Sequence, residues 1–454
     1  MSAPTNMYVN RSLKLDATKS AMMIFSKLAV IFIIMDVWIK ACFNIAGGSF
    51  YALYKDIFTI FLIALTVGLV VTNPKRIVRN KIDYFVLLYI VYAAFELLWT
   101  FYISESFIIG VVRFRLYFLV FILYFYFKYL ALSYVDYMPR MLHFIYKVIA
   151  FIFAFTILEF VLVHFDIISP NAIASFLERG SGTLTTYSYS AGDYVFHRGF
   201  GVAASILLNG VMCVVGLAII MFTESGGKRS ISGKLMLFAG VIAVIISGAK
   251  TAWLLLFVIF VLMGMFTKSS SRSRLIYFSI VLILSVSFYS IYVNVGGISR
   301  SIDATIFRAI PAYYYSLIGF IDSSSFSQIL FGGGYSIHEG AFKNYGIDIS
   351  NAKALIVGNE VFFVALFKQF GIIGMLFYVV GFIYIPLLIF INKANNPSVR
   401  GVALAVLIAG ISSIHYNAIF RNGVNILVVF GLAYISYALD SQKNIRKIVS
   451  ITNA

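Results

Sequence analysis

The sequence predicts an all-α polytopic membrane protein of about 12 transmembrane helices, and three observations carry that reading. First, 61% of its 454 residues are hydrophobic and only 12% are charged, with a mean hydropathy of +0.95. A soluble globule needs far more charge to cover its surface. Second, the apolar residues come in runs of roughly 20, the length of a helix that crosses the hydrocarbon core, and not in the alternating ten-residue segments of barrel strands. With no water in that core, each run has to satisfy its own backbone as a helix. Third, lysines and arginines concentrate in every second loop, as the positive-inside rule requires.

Spans are expected near 24–43, 53–72, 83–103, 106–132, 145–164, 199–222, 234–248, 251–267, 275–294, 370–391, 400–415 and 423–439. The first twenty residues are polar and no small-residue cleavage pattern follows span one, so that span reads as a retained anchor. Lys75, Arg76, Arg79 and Lys81 follow span two, and Arg140 follows span four. Lys228, Arg229 and Lys234 follow span six; Lys268, Arg272 and Arg274 follow span eight. Lys393 and Arg400 bracket the loop after span ten, and the tail carries Lys443, Arg446 and Lys447. All of these fall on one side, which places both termini in the cytoplasm. Three regions follow: 1–294 with spans one to nine and a medium outer loop at 165–198, a long outer loop at 295–369, and 370–454 with the last three spans and the tail. Within the long loop, 355–369 is apolar but too short to span, and reads as a re-entrant or interfacial helix.

The net charge of +17 reflects loops facing anionic lipid, not nucleic acid. Cys42 and Cys213 fall in apolar segments as small packed residues, with no disulfide framework. The five histidines are scattered without paired spacing, so no metal site and no cofactor are expected.

Topology gives no reason for cations on the outer side, yet Arg113, Arg179, Arg198, Lys250, Arg300, Arg308 and Arg421 fall there. They are the first candidates for contacts to an anionic head group; Arg179 and Arg300 read as ordinary loop residues. Arg113 and Arg115, in VVRFRLYF, sit one or two turns below the outer surface, where a lipid-facing arginine costs about 2.5 kcal/mol or more. Snorkelling is the plain alternative, and it suits Arg113 better than Arg115. Arg198 opens span six, where a helix N-terminus also favours an anion. Lys250 lies in the tight turn ISGAKTAW. Arg308 precedes Tyr313, Tyr314 and Tyr315, whose rings suit either sugar stacking or interface anchoring. The run Phe331-Gly-Gly-Gly-Tyr335 lacks a phosphate-loop ending, so its glycines permit a turn close to a ligand or to another backbone. Glu360 heads the 355–369 stretch as a candidate general base, and His415 sits with Arg421 in the last outer turn.

The order of these elements resembles the O-antigen polymerase and O-antigen ligase superfamily of bacterial inner-membrane glycosyltransferases. As architecture, the resemblance covers nearly the whole chain. Arg198 matches an arginine that family members often place at the head of that span, and Ser247-Gly-Ala-Lys250-Thr is similar to a Ser-Arg turn with lysine in place of arginine. Arg308 and Gly319 resemble an Arg-x10-Gly loop pattern, and the glycine run resembles a Gly-x-Gly element. A ligase pattern falls on Glu360, Val361, Gly371 and Gly374, but with Glu360 where ligases carry histidine. That departure favours a polymerase over a ligase that joins glycan to lipid A core.

The resemblance implies transfer of a growing glycan from undecaprenyl pyrophosphate onto a new lipid-linked repeat unit at the periplasmic face, without metal. Arg113, Arg198, Lys250, Arg308 and Arg421 would hold the pyrophosphates, Tyr314 would meet a sugar, and Glu360 or His415 would act as base. Membrane lipids and a polysaccharide chain-length regulator are the implied partners. A flippase or transporter ranks lower, because no paired, broken-helix halves are found.

Overall fold

The computed structural model describes residues 5–43, 53–72, 74–75, 77–104, 107–181, 188–191, 194–197, 200–223, 231–266, 279, 310–333, 362–414, 418–421 and 423–452. The chain is helical there apart from one two-stranded antiparallel ribbon, β1 (Ser188–Ala191) with β2 (Tyr194–His197), in which Ser188 pairs with His197.

Among the described residues, five helices are long and apolar enough to cross a membrane: Tyr54–Thr72, Lys81–Ile103, Tyr137–His164, Phe363–Ile391 and Val424–Gln442. Two bent pairs raise that to seven if each counts as one span. In chain order the helices begin with α1 (Thr5–Ile34), α2 (Asp36–Cys42), α3 (Tyr54–Thr72), α4 (Lys81–Ser104), α5 (Phe107–Tyr117), α6 (Leu123–Ser133) and α7 (Tyr137–His164). There follow α8 (Pro170–Ser181), α9 (Ile206–Thr223), α10 (Ile231–Ile246), α11 (Lys250–Phe266), α12 (Ile310–Ser323) and α13 (Phe326–Phe331). The last are α14 (Phe362–Tyr378), α15 (Ile385–Ile391), α16 (Pro397–Ser412) and α17 (Val424–Thr452).

Two of the shorter apolar helices, α9 and α16, form the centre of the bundle. Every residue of α16 except Pro397, Ser398 and Ile411 is buried, and it packs most extensively against α9. On α9, every side chain described except that of Leu207 is buried as well. A helix apolar all round belongs in an interior, and both sequences are of that kind. Cys213 sits here, packed beside Thr156, whereas Cys42 at the end of α2 is exposed rather than packed.

Several expected spans are interrupted. The run expected at 24–43 bends by 79° at Met35, between α1 and α2. The run expected at 106–132 bends by 56°, with a 3-10 turn at Leu119–Ile122 between α5 and α6. The tenth widens into a π-helical turn at Val379–Tyr384, ending where Pro386 withholds the N–H that Phe382 O would have received. Of the run expected at 275–294, only Ser279 is described. The medium loop at 165–198 carries α8 and the ribbon. The apolar stretch before the tenth span is helical from Phe362 and breaks at Gly371 (φ 61°, ψ −164°).

Candidate functional site

Among the described residues, three ionic clusters lie inside the bundle, and the first sits at the Gly371 break. Gly371 and the facing Gly332 (φ 89°, ψ 153°) both occupy backbone conformations open essentially to glycine alone. A Cβ on Gly371 would meet Leu330 O and the Gly332 nitrogen, and one on Gly332 would meet Gln369 O. So the glycine run approaches another backbone. The break frees the carbonyls of Lys368, Gln369 and Phe370, and each receives a donor. Gly333 N–H donates to Lys368 O at 2.8 Å, Arg113 to Gln369 O at 2.6 Å, and Tyr92 Oη to Phe370 O at 2.9 Å. Trp99 Nε1 donates to Gly332 O at 2.9 Å, which ties the glycine run to α4.

Arg113 is the hub. Its side chain is 1% exposed and faces Glu96, which is wholly buried, at 3.0 Å. It also donates to Thr100 Oγ1 at 2.9 Å and lies 4.2 Å from the centre of the Phe370 ring. The other Glu96 oxygen lies 2.6 Å from Tyr92 Oη, whose single proton is shared between that oxygen and Phe370 O. The guanidinium is thereby committed to holding α4, α5 and the broken α14 together.

The second cluster joins α2, α3 and α5. Asp36 Oδ2 accepts from Lys40 at 3.1 Å and from Lys55 at 2.8 Å, and Arg115 Nε donates to Asp56 Oδ2 at 2.7 Å. Nearby, Glu159 on α7 accepts from the N–H groups of Phe200 (3.1 Å) and Gly201 (2.6 Å), while Trp38 donates to Gly201 O at 3.0 Å. That fixes the chain just after Arg198.

The third cluster lies at the end the sequence assigns to the cytoplasm. Lys128 on α6 reaches Asp440 at 2.6 Å and Asp83 at 3.3 Å, and donates to Ser436. Asp83 also accepts from Tyr124 and from the N–H groups of Arg79 (2.8 Å) and Asn80 (3.0 Å). It staples α17 to α4 and α6.

Of the sequence candidates, Arg198, Arg308, Glu360 and His415 lie outside the described residues. Lys250 is the first residue of α11, after a buried turn in which Ser247 Oγ accepts from Ala249 N–H at 3.4 Å. Tyr314 is exposed on α12, with its ring edge-on to Tyr315 at 5.7 Å. Arg421 is half-buried; its N–H donates to Ala418 O at 3.0 Å and its carbonyl receives Asn425 N–H, so it opens α17. Phe363 N–H donates to Ile414 O at 3.1 Å. The described segments that adjoin Glu360 and His415 therefore meet, with Arg421 a few residues further along the chain.

Sequence reading missed Glu96, Asp36, Lys40, Lys55, Asp56, Asp83, Lys128 and Asp440. The available signal was that each is an ionisable residue in or beside an apolar run, and such residues pair inside a bundle. Among the described residues no group of His, Cys, Asp and Glu is arranged to hold a metal ion. No known protein family, curated protein or solved structure matches the chain.

Proposed function

We propose that this protein is a metal-independent glycosyltransferase of the bacterial inner membrane. It polymerises undecaprenyl-pyrophosphate-linked oligosaccharide repeat units at its periplasmic face, with about 12 spans and both termini in the cytoplasm. The observation that carries the reading is the Phe363–Ile414 contact, because it joins the segments that lead to the two candidate bases, Glu360 and His415, beside Arg421. Those three residue types are what the reaction needs. A departing pyrophosphate requires fixed positive charge, which arginine and lysine supply without a metal. The acceptor hydroxyl requires a base within hydrogen-bond reach. Arg198, Lys250 and Arg308 complete the charge around the departing group. Tyr314 supplies an aromatic face for sugar.

The buried role of Arg113 supports the same reading at one remove. It braces the helix break through which the 295–369 loop returns to the bundle. Surface-glycan length in strains carrying single substitutions tests the proposal. Arg198→Ala and Arg308→Ala are expected to leave core bearing a single repeat unit. Full-length polymer from both variants would sink the site; complete absence of repeats on the core would point to ligation instead.

A further inference from the structure

The turn between α7 and α8, at 165–169, displays an apolar surface that the proposed transferase site does not use. Phe165 is 71% exposed, Ile167 66% and Ile168 36%. Three features match this surface to lipid. The first is continuity. From Val148 to Leu162, every side chain of α7 that is exposed or half-buried is apolar, while Thr156 and Glu159 are buried. That strip is what α7 offers to hydrocarbon, and it ends where His164 stacks on Phe160 at 5.5 Å and the turn begins. The second is height. From Arg140, 63% exposed near the other end of α7, Phe165 lies about 37 Å along the axis. That is past a hydrocarbon core of about 30 Å and within the headgroup layer, which brings a bilayer to about 40–45 Å. The α4–α5 hairpin agrees, with the exposed Tyr102 about 32 Å from Lys81. The third is the backbone. Phe165 N–H donates to Val161 O at 3.0 Å, Asp166 N–H to Val163 O at 3.1 Å, and those of Ile167 and Ile168 to Leu162 O at 2.9 and 3.1 Å. Asp166 takes φ 55° to close this helix end, a place where glycine is usual. A turn whose N–H groups are all satisfied can enter a medium poor in water.

We propose that this turn is a lipid-docking surface, with Phe165, Ile167 and Ile168 seated in the headgroup–acyl boundary of the leaflet opposite Arg140. Its occupant is membrane phospholipid, recognised by apolar area and not by headgroup charge. The turn then anchors more than itself. Ser169 O accepts from Ala172 and Ile173 N–H and so starts α8, which packs along α2 with Phe176 against Trp38 at 5.8 Å. A turn seated in the interface holds that pair of short helices at a fixed height beside the bundle. The segment at 165–198, which the sequence places in an outer loop, therefore begins in lipid and not in water. The proposal rests on α7 crossing the membrane, as the topology above has it, and not on the transferase chemistry.

Environment-sensitive labels on single cysteines test this. Ile167→Cys, Ile168→Cys, Leu158→Cys and Lys393→Cys would be made in a Cys42→Ser background, since Cys42 is exposed and Cys213 buried, and each labelled with a nitrobenzoxadiazole dye. The full chain would be placed in phosphatidylcholine nanodiscs of three kinds: unbrominated, brominated near the headgroup, and brominated near the chain end. Melting temperature would verify the fold of each variant. Leu158, exposed about 10 Å below Phe165 along α7, reports whether the helix spans. Lys393, exposed in the loop between α15 and α16, gives the reading in water. The labels at Ile167 and Ile168 should emit to the blue of the Lys393 label and lose most intensity in lipid brominated near the headgroup. The Leu158 label should lose most in lipid brominated near the chain end. Labels at Ile167 and Ile168 that read as the Lys393 label does would put the turn in water and overturn the proposal. Blue emission that neither lipid quenches would put it under protein and overturn it too. An unquenched Leu158 label would instead show that α7 does not span, and the proposal would fall with that premise.

Discussion

Removing Glu96 alone should destabilise this protein more than removing Glu96 and Arg113 together. In Glu96→Ala, the Arg113 guanidinium keeps Thr100 and the Gln369 carbonyl but loses its counter-charge in a site that is 1% exposed. Breaking a buried pair from one side costs about 3–5 kcal/mol. Arg113→Leu strands the Glu96 carboxylate by a similar amount. It also uncaps Gln369 O at the helix break, which adds about 1–3 kcal/mol for a buried acceptor left without a donor. In Glu96→Ala/Arg113→Leu no unpaired charge remains, so the carbonyl term of about 1–3 kcal/mol is the main loss that persists. Tyr92 is held in every variant by Phe370 O. The double variant should therefore be more stable than either single variant, with a coupling of at least about 2 kcal/mol. Unfolding of the purified chain by SDS titration, with helix content read by circular dichroism, gives the cycle. Additive losses, or a Glu96→Ala loss under about 1 kcal/mol, would mean that water reaches the pair and that the lock is not what holds the break.

The glycine pair and the Lys128 cluster give two further predictions. Gly332→Ala and Gly371→Ala should each lower stability by more than about 1–3 kcal/mol, because backbone strain adds to the collision of each Cβ with the opposing backbone. Gly319→Ala, with nothing within 4 Å of the added carbon on helical α12, should be neutral or gain about 0.5–1 kcal/mol in the same SDS titration. Equal losses at all three positions would contradict the local account. At the other end, Lys128→Ala leaves Asp83 and Asp440 facing each other and should cost about 3–5 kcal/mol. It should also speed tryptic cleavage in the tail, whereas Asp440→Asn, which spares the Lys128–Asp83 pair, should cost less than half as much. Indistinguishable cleavage rates for the two variants would refute the staple.

How much was legible depended on whether a feature was local or long-range. Helicity in each apolar run follows from composition alone, because an apolar run has only itself to bond with in hydrocarbon. The bends do not. Met35 and Phe118 are unremarkable residues for a helix interior, and the breaks beside them arise where α2 must bring Asp36 to Lys55 and where α5 must bring Arg113 to Gln369. Those partners are 19 and 256 residues apart. Gly371 was visible as a glycine, but its break is maintained by donors from α4, α5 and Gly333, none of which the local sequence names. Arg113 shows the same limit most sharply. An arginine below the outer surface signalled that something must neutralise it, and a substrate phosphate and Glu96 satisfy that demand equally well on paper. Glu96 lies 17 positions back on the preceding helix, an acid in an otherwise apolar run, and the α4–α5 hairpin brings it to 3.0 Å. The useful rule for such chains is to pair each intramembrane cation with every intramembrane acid on adjacent spans before assigning it to a ligand. Applied to this chain, that rule pairs Arg113 with Glu96 and takes it off the list of cations to be assigned to a ligand.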